Sequence, residues 1–311
     1  MSVMRTALIA LSRNKALQDL IVSVPISRKM ARRFVSGETL DEALDAVREL
    51  NRAGMIATLD HLGENVASQA EAVAAADEYM VLLDAIDESG VKSNVSLKLT
   101  QMGLDLGDDF CYDNVRRIVH CAQQLGNFVR VDMEGSDYTT RTLAIYRRLR
   151  GEFDNTGVVV QAYLHRTQSD VEGLIADGMG HFRLCKGAYD EPETIAYRER
   201  PRVTRAMQDL IRTGFTPESR ARGAFMAIAS HDEDVINFAR AYTYQHGIAA
   251  GEVEFQMLYG IRRELQHALV GQGHVMRVYV PYGTHWYPYF MRRLAERPAN
   301  LLFFLRALVG D

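Results

Sequence analysis

The stretch Phe182-Arg183-Leu184-Cys185-Lys186-Gly187-Ala188-Tyr189 is a short apolar run that ends in cations and a glycine. Its pattern recurs. Apolar runs at 55–59, 94–97, 128–131, 158–160, 182–184, 225–228, 253–257 and 275–280 alternate with longer helical patterns such as 67–89, 113–124, 139–150 and 191–213. Several runs are rich in β-branched residues, as strands covered on both faces should be. Eight alternations predict the α/β class and a (β/α)8 TIM-like barrel, with an open doubly wound sheet as the alternative. Polar residues at the strand ends separate the two. They are Asp60 and His61, Lys98, Asp132 and Glu134, Gln161, Arg183 and Lys186, Ser230 and His231, Gln256, and Tyr282. A barrel collects them on one rim, whereas an open sheet strings them along an edge. Any one of them alone reads as an ordinary loop residue, but their recurrence in step favours the barrel.

Residues 1–37 read as a helical preface, with Leu8, Leu11, Leu17, Leu20, Ile21 and Val24 apolar and Pro25 as punctuation. Residues 38–311 are expected to form the barrel domain. The formal net charge of −4 gives no electrostatic argument for nucleic acid. Three cysteines, Cys111, Cys121 and Cys185, form no CxxC pair, so a reducing compartment is expected. No apolar run approaches the roughly 18 residues that span a bilayer. A cytoplasmic protein is expected, with peripheral contact at the inner membrane face left open.

The strand at 275–280 runs into an aromatic loop and then a helix. There Tyr289, Arg292, Arg293 and Glu296 follow i, i+3, i+4, i+7 spacing and share one face. Adjacent guanidiniums beside aromatic rings suit a carboxylate, so a small acid is the expected ligand. No GxGxxG turn, phosphate loop, GxSxG elbow or HExxH pair occurs, and Gly178-Met179-Gly180 and Gly271-Gln272-Gly273 lack a third glycine. No metal site is expected. Lys98 and Lys186 at strand ends allow a flavin-free Schiff-base lyase. Arg183 and Lys186 equally suit a polyanionic, electron-accepting partner such as a flavin dinucleotide, and Gly187 would let backbone approach a phosphate.

Several motifs, in order, resemble those of proline dehydrogenases over residues 50–308. They are Ser96-Leu97-Lys98-Leu99-Thr100-Gln101, Val131-Asp132-Met133-Glu134, Gln161-Ala162-Tyr163, the 183–189 stretch, Ser230-His231, Phe255-Gln256-Met257-Leu258-Tyr259-Gly260 and Tyr289-x-x-Arg292-Arg293-x-x-Glu296. The chain looks like the compact, single-function bacterial form. The resemblance implies a distorted barrel with noncovalent FAD that oxidises L-proline to Δ1-pyrroline-5-carboxylate and passes electrons to a membrane quinone. A separate pyrroline-5-carboxylate dehydrogenase would then act next. By the same resemblance, Arg292 and Arg293 would hold the proline carboxylate with help from Lys98. Tyr189, Leu258, Tyr279 and Tyr289 would shape the pocket, and Arg183 would lie near flavin N5. Asp132 would orient polar groups beneath the site. Met133, Gln161, Lys186, Gly187, Ala188, Ser230 and His231 would hold the cofactor. Glu296 would tie the last helix to Arg293 or the flavin side. Three positions depart from the family pattern: Cys185 for valine, Ser230 for threonine and Asp232 for asparagine. A hydroxyproline dehydrogenase is the nearest alternative, and the bulk of Tyr279 argues against it.

Overall fold

Eight parallel strands close on themselves in sequence order, β1 (Ile56–His61), β2 (Ser93–Leu97), β3 (Val129–Val131), β4 (Thr156–Gln161), β5 (His181–Cys185), β6 (Phe225–Ala229), β7 (Glu254–Leu258) and β8 (Val275–Tyr282). This is a computed structural model, and it describes residues 30–296. Closure runs through β8 and β1, which pair from Ile56↔Arg277 to His61↔Tyr282. The barrel expected from the sequence is therefore the observed fold, and the open sheet is excluded. Of the helical preface, residues 1–29 lie outside the described residues.

Helices alternate with the strands. They are α1 (Leu40–Arg52), α2 (Gln69–Ser89), α3 (Asp108–Gln124), α4 (Ser136–Glu152), α5 (Thr167–Ala176), α6 (Arg200–Phe215), α7 (Pro217–Ala221), α8 (Glu233–Gln245), α9 (Arg263–Gly271) and α10 (Trp286–Glu296). Helix α1 starts at a capping box, in which Thr39 Oγ1 accepts from Glu42 N–H and the Glu42 carboxylate accepts from Thr39 N–H. It packs against β1 and β8, on the wall where a helix following β8 would ordinarily lie.

Helix α10 sits elsewhere. Its Trp286, Tyr287, Phe290 and Leu294 form a second hydrophobic cluster with Phe34, Leu62 and Ile261. Leu62 follows β1 and Ile261 follows β7, so α10 lies across the C-terminal mouth. The segment before α1 is tied to the same rim, with Ser36 N–H donating to Pro281 O at 2.9 Å and Gly283 N–H to Gly37 O at 3.0 Å. The barrel is distorted because its first helix has taken the place of its last.

The outer faces of the strands meet the helices in one continuous apolar core. The inside is polar. Arg183 on β5 bonds to Ser96 on β2, Asp132 just after β3 and Gln256 on β7, none of which lies on a neighbouring strand, so these side chains cross the lumen. Alternation along each strand sends residues two apart to the same face, which places Arg130 with Asp132, Glu254 with Gln256 and Arg277 with Tyr279. A barrel filled mostly by valine, isoleucine and leucine would need no such network.

Candidate active site

Asp132 is the hub of the C-terminal mouth. It follows β3, where its Oδ1 accepts from Ser96 Oγ at 2.5 Å and from an Arg183 Nη at 2.8 Å. Its Oδ2 accepts from the Tyr279 hydroxyl at 2.9 Å. The Lys98 ammonium lies 3.7 Å from Asp132 and is bonded to both oxygens of the fully buried Asp60, at 3.1 and 3.2 Å. Burial alone would lower the Lys98 pKa. The carboxylates of Asp60 and then Asp132 outweigh that, so the ammonium is held above its ordinary value. An imine-forming lysine needs the opposite, an unprotonated amine at neutral pH. Lys98 is a fixed cation, and the lyase reading loses its strongest nucleophile. Lys186, the other candidate, is exposed on the loop after β5.

Arg183 reaches from β5 to both sides of the lumen, with Nε donating to Gln256 Oε1 at 2.5 Å and the guanidinium 5.1 Å from the Tyr279 ring centre. It is 5% exposed, yet its Nη2 has no partner. Gln161, at the end of β4, donates to Met133 O and Glu134 O at 3.1 and 2.8 Å, while its buried Oε1 has no partner either. An unmatched donor and an unmatched acceptor on adjacent strands are costly, unless a ligand bearing both kinds of group lies against them. The edge of a flavin ring carries both, so these residues fit that cofactor.

On α10, Arg292 is bonded to Glu64 Oε1 at 2.7 Å, and Arg293 lies over the Tyr289 ring with its guanidinium carbon 5.2 Å from the centre. Tyr189, after β5, lies in the fields of both Lys98 and Arg292, and burial raises its hydroxyl pKa above the ordinary value. Leu258 and Tyr279 pack against the α10 cluster with Tyr289. Thus Lys98, Asp132, Arg183, Tyr189, Leu258, Tyr279, Tyr289, Arg292 and Arg293, named from the sequence, converge on the mouth beneath α10. Glu296 ends α10, and its side chain lies outside the described residues.

The cofactor residues are less uniformly placed. Ser230 and His231 follow β6, where the Ser230 hydroxyl accepts from Asp232 N–H at 3.0 Å and His231 Nε2 accepts from Leu258 N–H at 3.0 Å. Asp232 caps α8 by accepting from Asp234 N–H, which gives the unusual aspartate a local reason. Met133 is packed in the main core. Ala188 and Lys186 stay on the loop after β5. A Cβ at Gly187 would stand 2.1 Å from the Tyr163 ring, so its lack of a side chain seats that ring. Cys185 is half-buried, and burial pushes its thiol up to about 11.

Glu64 was not anticipated, because a lone loop carboxylate carries no pattern. Asp60 and Gln256 stood in strand-end positions and Ser96 opened a quoted motif, but their role is to bind other side chains, and only the closed barrel reveals those partners. Glu134 is similar. Burial raises its pKa to about 7, although it accepts hydrogen bonds from Thr100 N–H and Thr100 Oγ1 at 3.1 and 2.6 Å.

Fold and site together define a barrel enzyme with a cationic clamp above a buried Asp–Lys–Arg network. The sequence profile of the family described as Proline dehydrogenase matches residues 43–306. Proline dehydrogenase 1 of Bacillus subtilis strain 168 is 41% identical over 307 residues, covering 99% of each chain. The proline dehydrogenase of Deinococcus radiodurans is 39% identical over 285 residues, 90% of each chain. The chain belongs to the proline dehydrogenase family. Among solved structures, proline utilization A from Bdellovibrio bacteriovorus, inactivated by N-propargylglycine, superposes with a TM-score of 0.80 at 24% identity. That match spans 94% of this chain and 36% of the other, and it bears on the fold alone.

Proposed function

We propose that this proline dehydrogenase binds FAD noncovalently at the C-terminal mouth and oxidises L-proline to Δ1-pyrroline-5-carboxylate. The observation that carries the reading is that Arg292, Arg293 and Lys98 stand at the mouth with Tyr189, Tyr279 and Tyr289, near the unmatched polar atoms of Arg183 and Gln161.

Arg292 and Arg293 bind the substrate carboxylate, and Lys98 adds a third positive charge whose position is fixed by Asp60 and Asp132. Arg292 is held at 2.7 Å by the Glu64 carboxylate, which sets its position at the mouth. Such a clamp fixes the ring carbon beside nitrogen, and orientation can lower a barrier by about 7–11 kcal/mol at the ideal limit. Hydride departs only from an unprotonated amine. The rings of Tyr189, Tyr279 and Tyr289 with Leu258 exclude water and disfavour the ammonium form. The flavin, when bound, supplies the two-electron acceptor. Met133, Gln161, Arg183, Lys186, Gly187, Ala188, Ser230, His231 and Glu296 would hold it. The Arg183 guanidinium favours negative charge in that region.

Among the described residues no helix is long and apolar enough to cross a membrane. We assign the chain to the cytoplasm with a membrane quinone as the final acceptor, reached by contact at the membrane face, and a separate dehydrogenase consumes the product. Anaerobic mixing with L-proline should bleach the flavin absorbance of the purified protein. Borohydride with a keto acid should trap no adduct. A chromophore that stays oxidised, or one that cannot be reconstituted, overturns the proposal.

A further inference from the structure

The opposite end of the barrel holds a second site. At the N-terminal face the first residues of the strands surround a cavity of about 330 Å³, with Asn94, Arg130 and Glu254 buried in it and Lys92 exposed at its edge. Its carboxylate is already used. Glu254 accepts from both Nε and Nη2 of Arg277, at 2.9 and 3.2 Å, and from Gln256 at 2.5 Å.

Arg130 has no such counter-ion. It is 2% exposed, and among the described residues no carboxylate lies within ion-pair distance of it. Its Nη1 donates to His181 O at 2.8 Å, its Nη2 to His181 Nδ1 at 3.0 Å, and its Nε is buried without a partner. A guanidinium stays charged, and a buried charge without a partner costs several kcal/mol. The surroundings are nevertheless shaped for it. Gly157 supplies the space, since a Cβ there would stand 2.3 Å from the Arg130 Nη1. The guanidinium carbon lies 4.9 Å from the Phe128 ring centre, and His181 is sandwiched between Phe128 and Phe225 at 4.5 and 4.6 Å. Burial, and then the charge of Arg130, push His181 down to about 2. It is neutral, accepts from Arg130 at Nδ1 and so carries its own proton on Nε2. Burial, and then the charge of Arg183, pull Arg130 down to about 9, with the more distant Glu254 carboxylate only partly opposing them.

We propose that this cavity at the base of the barrel binds a small oxyanion, whose charge is matched by Arg130 and the rim ammonium of Lys92. Inorganic phosphate and a short dicarboxylate share the required chemistry and fit the volume. The site is independent of the proline reading, because it shares no residue with the mouth.

The test is calorimetric titration of the flavin-loaded full chain with inorganic phosphate and, separately, with succinate, in a buffer free of other oxyanions. One saturable site per chain is expected for at least one of them, and the one that binds identifies the source. Binding should weaken roughly tenfold or more in Lys92→Glu, which reverses an exposed charge and leaves the core intact, and should vanish in Arg130→Met. It should be unchanged in Arg292→Met, which removes the other anion clamp. If Arg130→Met fails to fold, the Lys92→Glu result decides. Absence of saturable binding for both anions overturns the proposal, as does binding that survives Lys92→Glu undiminished or is lost in Arg292→Met.

Discussion

Arg292 has a carboxylate partner within its own chain, Glu64 at 2.7 Å, and that contact shows what the guanidinium is built to hold. Replacing Arg292 with Met should raise the KM for proline by roughly 10- to 100-fold, the worth of a charged hydrogen bond, and leave flavin absorbance unchanged. Steady-state kinetics with the visible spectrum reads both; an unmoved KM sinks the clamp. Tyr279 does two things, since its ring fills space and its hydroxyl donates to Asp132. Tyr279→Ser should raise kcat/KM for 4-hydroxyproline relative to proline, whereas Tyr279→Phe, which keeps the bulk, should not. Equal ratios in both variants would remove the size argument. Glu134 supplies a pH signature. Its folded pKa of about 7 exceeds the ordinary 4.5, so between these values the folded state holds the proton that the unfolded chain has lost. Stability from this group is complete below about 4.5 and falls as pH rises through 7, by about 3 kcal/mol. Glu134→Gln can keep both bonds to Thr100, with its amide oxygen accepting from the backbone N–H and its amide nitrogen donating to the hydroxyl. Denaturant titrations at pH 5 and 8 should show the variant gaining on the native chain at the higher pH; parallel curves would place the Glu134 pKa near its ordinary value. At this scale the sequence was legible where chemistry dictates residue type, as at Lys98, Arg183 and Arg292. It was not legible where a residue's job is to hold a side chain from another segment, as Asp60 does for Lys98 and Glu64 for Arg292.

Among the elements, period and strand-end polarity revealed the strands because both faces are covered and the run must be apolar. What they could not reveal is that α1 fills the wall between β1 and β8 while α10 crosses the mouth. Both helices are amphipathic, and amphipathicity says that a face is buried but not against what. The exchange of places depends on Leu62, Ile261 and Phe34, which come from three separate segments. Loop chemistry is ambiguous for a related reason. Gly187 has φ +109, and the space beside its Cα belongs to Tyr163. Glycine after a strand end reads equally as a phosphate approach or as a seat for a ring. Gly187→Ala should therefore cost more than about 1 kcal/mol, from left-handed strain plus a displaced aromatic ring. Thermal unfolding of the cofactor-free chain checks this: a normal midpoint together with a weakened flavin affinity would leave only the phosphate role, and a lowered midpoint supports the packing role.

Across the whole molecule, one polar column fills the lumen from base to mouth. Arg277 binds Glu254, Glu254 binds Gln256, Gln256 binds Arg183, and Arg183 binds Asp132, which holds Tyr279 beside Lys98. The column's two ends have different duties. At the mouth the charges line the proposed substrate and flavin site, and at the base the Arg277–Glu254 pair joins β8 to β7 next to the closing seam with β1. Arg277 also donates to Ala57 O at 2.7 Å, so it touches all three strands there. Glu254→Gln leaves that guanidinium without a counter-ion, and losing one member of a buried pair typically costs about 3–5 kcal/mol. The amide oxygen can still accept from Gln256, so Arg183 and the mouth keep their arrangement. The expected outcome is a large fall in denaturation midpoint with the proline KM within about twofold of the native value, because the carboxylate clamp on α10 shares no contact with the pair. Gln256→Leu is the complementary variant: it leaves Arg183 Nε without its acceptor and should slow flavin reduction by proline in rapid mixing, beyond any change in KM. If instead Glu254→Gln raised KM as much as Arg292→Met does, the base and the mouth would not be separable units, and the column would have to transmit position rather than merely fill the barrel.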